Sequence, residues 1–212
     1  MIELHYYPSN ASFAPHLLLE EMGIPYRLRE VDRANDEHKS AAYLKLNPNG
    51  LIPVLVDGDI VLYETAAILM HLADCHPAGG HVFAPATGTA ERAQYYKWMV
   101  WLTNTLQAML IHYFYPDRMA SAAAEVKDRA EAQIAPMLDQ LDAELARHGG
   151  PWFMGQHYTA VDPLVFMLCR WTRMQARPAR ARPVLGAYLQ RVLERAATQR
   201  VVAREKLADP VY

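Results

Sequence analysis

Apolar and polar positions change period twice along the chain. Ile2 to Tyr7 is a short apolar run rich in branched and aromatic residues, the mark of a buried strand. Pro8-Ser9-Asn10-Ala11-Ser12 breaks it. Phe13, Leu17, Leu18 and Met22 then recur at helical spacing until Gly23 supplies a stop, and Pro15 is tolerated in the first turn. Tyr26 to Val31 reads as a second strand, Asp32 to Asp36 as a polar loop, and His38 to Leu46 as a short helix. Val54-Leu55-Val56 and Ile60-Val61-Leu62 form a hairpin around Asp57-Gly58, a dipeptide that tolerates positive φ. Glu64-Thr65 opens a helix whose apolar face is Ile68, Leu69, Leu72 and Cys75. A crossover helix between the first two strands makes them parallel, while the hairpin adds antiparallel strands.

That order, β-α-β-α-β-β-α, predicts a thioredoxin-like α/β domain over residues 1–77. The composition then shifts at Pro77-Ala78-Gly79-Gly80-His81, which reads with the residues up to 88 as a linker. Residues 89–212 carry only the helical period, so an all-α helical bundle is expected. Glu91 to about Tyr115 is one long helix stopped by Pro116, and a second runs from about Ala122 to Arg147 with a kink expected at Pro136. Thr159-Ala160-Val161-Asp162 has the form of a capping box, with the Thr hydroxyl accepting from the third helical N–H and the Asp carboxylate from the Thr N–H. The helix it opens, through Met174, is apolar nearly all round and is expected at the centre. Two more helices, near Leu185–Ala196 and Thr198–Lys206, close the chain.

Among 212 residues, 52% are hydrophobic and 21% charged, a folded composition with an ample core. A formal net charge of -2 provides no field for nucleic acid or anionic lipid. No run is long enough to span a bilayer, and Met1 to Tyr7 has no basic, leader-like start, so a cytoplasmic protein is expected. Cys75 and Cys169 form neither a CxxC nor a zinc spacing and read as buried, reduced thiols.

Four stretches could carry chemistry together. A Ser12 hydroxyl at a helix N-terminus can donate to an anion, including a thiolate, with Asn10 and Tyr6 close in sequence; its ordinary role is an N-cap. Glu64-Thr65 suits an ammonium and a carboxylate, and His38-Lys39 suits a second carboxylate, although each also fits an ordinary helix cap or polar face. Pro53 has no N–H to give a sheet, so it belongs at the start of its strand. A cis Ile52-Pro53 bond, which costs only about 0.5–1 kcal/mol at proline, turns the Ile52 backbone outward toward an extended peptide. The four together fit a short peptide with an ammonium, two carboxylates and one reactive group.

At these residues the chain resembles the cytosolic glutathione transferases, over nearly its whole length. The resemblance is carried by Tyr6 to His16, Asn47-Pro48-Asn49-Gly50-Leu51-Ile52-Pro53-Val54-Leu55, Tyr63-Glu64-Thr65-Ala66-Ala67-Ile68 and Thr159 to Asp162. The opening looks most like the bacterial beta class, and His38-Lys39 more like theta-type members. The resemblance implies attack of an enzyme-held glutathione thiolate on a small electrophile, with glutathione as co-substrate and no metal, in a homodimer. It implies that Pro53 is cis, that Ile52 pairs its main chain with the cysteinyl residue, that Glu64 and Thr65 take the γ-glutamyl end, and that His38 or Lys39 takes the glycyl carboxylate.

Two departures stand out. The beta-class first-turn cysteine is Ala11 here, which removes a protein thiol from that position and leaves Ser12, Asn10 or Tyr6 to hold the sulfur. The position matched to the beta-class histidine of the long helix is Leu110, with His112 two residues on. Walls for the electrophile are expected from Tyr7, Pro8, Ser9, Met109, His112, Tyr113 and the Trp171–Met174 segment. Two other functions fit the same residues: a non-catalytic glutathione-binding scaffold, and a specialised glutathione-dependent isomerase, dehalogenase or peroxidase.

Overall fold

The computed structural model describes residues 1–76 and 80–212, so the expected linker begins outside the described residues. The chain forms two compact units, one of Met1–Ala84 with Arg195–Ala208, the other of Pro85–Glu194 with Asp209–Tyr212.

In the first unit, β1 (Ile2–Tyr6) runs parallel to β2 (Tyr26–Glu30) through the crossover helix α1 (Phe13–Met22). β3 (Val54–Asp57) lies antiparallel to β1, and β4 (Ile60–Tyr63) antiparallel to β3, in the order β2-β1-β3-β4. The parallel pair, the hairpin and the strand at Pro53 all match the sequence reading. Gly58, at φ 61°, sits in the two-residue turn between Asp57 and Ile60. α1 ends at Gly23, whose left-handed backbone points its N–H at the Leu19 carbonyl.

The expected helix from His38 to Leu46 is instead two pieces, a 3₁₀ turn at Glu37–Lys39 and α2 at Ala41–Leu44. Ser40 divides them: its backbone is extended, and its hydroxyl caps α2 by accepting the Tyr43 N–H at 3.1 Å. α3 spans Thr65–Cys75 and buries Ile68, Leu69 and Leu72 as expected. Cys75 is exposed, contrary to the sequence reading, as the last residue of α3 and beyond its last buried residue, Leu72; Cys169 is buried.

The second unit is helical. α4 (Ala90–Trp101) continues through a π-helical stretch, Leu102–Gln107, into α5 (Ala108–Phe114), the long helix expected before Pro116. α6 (Ala123–His148) carries Pro136 inside one continuous element and ends at the left-handed Gly149. α7 (Val161–Trp171) is the expected central helix: every residue from Val161 to Arg170 is buried. Asp162 starts it, accepting the Thr159 N–H at 2.7 Å, the Phe153 N–H at 2.8 Å and the Tyr188 hydroxyl at 2.9 Å. The box differs in one bond from expectation, because the Thr159 hydroxyl accepts from Val161 at 3.3 Å while Asp162 N–H meets the Thr159 carbonyl. α8 (Pro183–Leu193) stays in this unit.

α9 (Ala196–Arg204) does not. It packs on α1, and Glu205 just beyond it reaches the first unit's interior. Helical period alone could not assign α9 to the α/β unit, since its own apolar face reads the same against either. Among the described residues no helix is long and apolar enough to cross a membrane.

Candidate active site

Strand register brings the candidate residues to one end of the sheet. His5 pairs with Val54, and Val54 pairs with Tyr63. The turn after β1, the Ile52-Pro53 peptide before β3 and Glu64-Thr65 after β4 therefore converge at the carboxyl ends of β1 and β4. This is where an open α/β sheet gathers ligands.

The Ile52-Pro53 peptide is cis. It is held by Asn47, which is buried: its amide nitrogen donates to the Leu51 carbonyl at 2.8 Å, its side-chain oxygen accepts the Asn49 N–H at 3.0 Å, and its carbonyl accepts from Gly50. Tyr43 adds a second donor to Leu51, at 2.9 Å. Gly50 has φ 60°, and a β-carbon there would lie 3.1 Å from the His38 carbonyl. That close approach packs the His38 turn against the Pro53 loop. Asn47 was visible in the sequence only as part of a resemblance; its buried, three-bond role follows from the turn geometry.

His38 and Lys39 both lean on Asp36, Lys39 Nζ at 2.9 Å and His38 Nε2 at 3.9 Å. Lys39 holds the Asp36 carboxyl below its usual range through that bond and its charge. A ligand carboxylate arriving here competes with Asp36 for the same side chains. Arg33 supplies a further cation that the sequence reading missed, its guanidinium 5.3 Å from the centre of the Tyr7 ring.

Glu64 is exposed, with φ 76° and ψ 115°, an uncommon backbone for a residue with a β-carbon. It precedes the buried Thr65 at the start of α3. Strain of this kind gathers where a backbone is held for a ligand.

Two of the three expected sulfur holders are turned to other work. Ser12 is completely buried, and its hydroxyl donates to the Tyr7 carbonyl at 3.0 Å while accepting the Tyr7 N–H at 3.1 Å. It locks the turn after β1 and has no proton left for a sulfur outside; nor does it cap α1. Tyr6 is buried with its hydroxyl donating to Glu30 at 3.3 Å and its ring edge-on to His16. Burial, then the Glu30 charge, pushes its phenol pKa up, so it keeps its proton. A sequence places Ser12 in a turn and Tyr6 at a strand end, but not the side to which either hydroxyl points.

Asn10 differs. It is half-buried, and its side-chain oxygen accepts the Ala11 N–H at 2.6 Å. With the oxygen fixed inward, the amide –NH₂ is the outward group, and a donor only. The adjacent Ser9 has φ 65°, and its N–H donates to Glu205 at 2.8 Å. Glu205 also meets His16 Nδ1 at 2.7 Å, both side chains wholly buried. A carboxylate some two hundred residues away thus fixes the turn that carries Asn10. No sequence signal marked it.

The remaining candidates belong to the second unit. Met109, His112 and Tyr113 are half-buried on α5, with Leu110 between them in the core. The Tyr113 ring lies 5.0 Å from the Lys127 ammonium of α6, and burial then the Glu131 charge raise its pKa.

Residues 8–75 match the glutathione S-transferase N-terminal domain, and residues 124–191 the glutathione S-transferase C-terminal domain. The chain is 33% identical to glutathione S-transferase 3 of Zea mays, over 91% of this chain and 89% of that one. It superposes on a glutathione transferase homologue from Sulfitobacter with bound glutathione, at 27% identity and TM-score 0.87, covering 98% and 99% of the two chains. A sphingomonad glutathione S-transferase complexed with glutathione gives 30% identity and TM-score 0.83, over 97% and 100%. With both domains matched in chain order on the expected fold, this protein belongs to the glutathione S-transferase family.

Proposed function

We propose that this family member holds the glutathione thiolate with the Asn10 side-chain amide and directs it at a small electrophile. The observation that supports the assignment is the Asn10 oxygen fixed on Ala11, which leaves the –NH₂ as the outward donor at the start of α1. The peptide lies along the Ile52 backbone, its γ-glutamyl end at Glu64 and Thr65 and its glycyl carboxylate at His38 or Lys39, displacing Asp36.

A free thiol near pKa 8.5 is only a few per cent ionised at neutral pH. Lowering it by about two units needs about 2.7 kcal/mol of differential stabilisation. A hydrogen bond to a charged sulfur contributes about 1.5–3 kcal/mol and a helix N-terminus about 0.3–1, which together bracket the requirement. The thiol proton passes to solvent, the thiolate lone pair forms the new S–C bond, and the leaving group departs with its electron pair. No protein nucleophile takes part.

The chain acts in the cytoplasm as a two-fold dimer, the arrangement usual in the family. Tyr96 and Val100, exposed four residues apart on α4, lend that surface an apolar contact. Sedimentation velocity tests this, a monomer at micromolar concentration being the contrary result.

The test of the sulfur assignment is the thiolate absorbance of bound glutathione against pH. Asn10→Ala is expected to raise the bound thiol pKa by about one to two units, from the loss of a charge-assisted bond. An unchanged titration removes Asn10 from the role. Tight glutathione binding with an unperturbed thiol and no turnover in the unmodified protein favours the scaffold.

A further inference from the structure

At the far end of β3 from Pro53, Asp57, His71 and His76 converge. One ligand atom from each lies within 4.8 Å of the others. Asp57 Oδ2 is 2.9 Å from His71 Nε2 and 2.5 Å from His76 Nε2, and the two imidazole rings stand 5.9 Å apart at 76°. Asp57 lies three residue steps along β3 from Val54, about 10 Å at strand rise, so the cluster is separate from the glutathione end. The side chains are 17%, 15% and 28% exposed, shielded on the protein side and open to solvent for an entering ion.

The geometry points to a site for one divalent transition-metal ion of the zinc class, held by Asp57, His71 and His76. Two imidazole nitrogens and one carboxylate oxygen are the donor set of that class, whereas calcium and magnesium take oxygen alone. Bonds of about 2.0–2.1 Å at tetrahedral angles place ligand atoms about 3.3 Å apart. The His71 contact at 2.9 Å therefore needs to open by about 0.4 Å and the His76 contact at 2.5 Å by about 0.8 Å, which side-chain rotation supplies. A fourth position stays open to water.

A metal-bound imidazole directs its other ring N–H at an acceptor, which fixes the tautomer. Cys75 Sγ lies 3.6 Å from His71 Nδ1 and fills that place. On binding, each Nε2 gives its lone pair to the metal and holds no hydrogen. The remaining ring hydrogen of His71 sits on Nδ1, toward the sulfur. Asp57 ends β3 while His71 and His76 lie on and just after the last turns of α3, so the ion ties the hairpin to α3. Sequence spacing conceals the trio, because fourteen residues separate Asp57 from His71.

Zinc chloride is titrated into the full-length protein against a chromophoric chelator, without glutathione because its thiol binds zinc. One ion per chain is expected, with a rise in the thermal midpoint. His71→Ala and His76→Ala each weaken binding at least tenfold, and the double variant loses the thermal shift. His76→Gln and Asp57→Asn preserve size should an alanine variant unfold, and are expected to weaken binding as well. His81→Ala leaves it unchanged. Cobalt(II) in the unmodified protein gives the intense visible bands of a tetrahedral site, absent from the double variant. Equal zinc affinity in the unmodified and double-variant proteins overturns the assignment and leaves the trio a carboxylate shared by two imidazoles.

Discussion

Replacing Glu205 by alanine removes the acceptor of two donors at once, the half-buried Ser9 N–H at 2.8 Å and the buried His16 Nδ1 at 2.7 Å. Both side chains of the His16–Glu205 pair are fully shielded, so no water takes the carboxylate's place without opening the unit. Removing one member of a buried pair costs about 3–5 kcal/mol, within which an orphaned N–H accounts for about 1–3. Against a mid-range stability of about 10 kcal/mol, the urea midpoint is expected to fall by roughly a third to a half. Glu205→Gln is a finer probe. Its oxygen can accept from Ser9, but its –NH₂ then faces His16 Nδ1, which must become the acceptor. The ring hydrogen moves to Nε2, a buried atom with no partner among the described residues, so this variant is expected to lose about 1–3 kcal/mol. Because Ser9 precedes Asn10, both variants also loosen the sulfur turn, and the bound thiol titrates at higher pH. Urea unfolding and the thiolate absorbance titration measure the two effects separately. A loss under about 1 kcal/mol for the alanine variant, with an unchanged thiol titration, refutes the argument that Glu205 braces the turn.

Gly50→Ala forces a β-carbon to 3.1 Å from the His38 carbonyl at φ 60° and is expected to cost about 1–2 kcal/mol while weakening glutathione binding severalfold; calorimetry reads both. Arg182 is buried, with its guanidinium on Asp139 at 2.9 Å and on the carbonyls of Ala135, Arg177 and Pro178. Arg182→Ala removes those bonds and leaves a cavity, and is expected to cost about 2–5 kcal/mol by urea unfolding. Burial pushes the Asp162 carboxyl up to about 6, against the bonds from Phe153, Thr159 and Tyr188 that favour its charge. The folded state then holds the extra proton between about pH 4 and 6, so stability falls as pH rises through that window. Asp162→Asn is expected to flatten this slope in urea midpoints measured across it, and an identical slope in the variant counts against the Asp162 assignment.

The α/β layout was readable because each strand carried its own period and Gly23, Asp57-Gly58 and Pro53 marked its limits. The capping box at Thr159 and Asp162 was readable because capping is local. What escaped was side-chain direction and long-range pairing. Ser12 and Asn10 stand in one turn, yet the first points its hydroxyl into the loop and the second its amide outward. Ser40 split a helix because a hydroxyl near a free N–H outcompetes continuation. Glu205 and the Asp57 cluster depend on residues brought together only by the finished fold.

The order of synthesis gives α9 one more consequence. Residues 1–84 carry the whole sheet, but their α1 face and the Ser9 N–H wait for Arg195–Ala208. The first unit to leave the ribosome is thus completed only after nearly all of the second has been made. An N-terminal fragment ending at Ala84 would contain every proposed glutathione contact and still lack the brace on its sulfur turn.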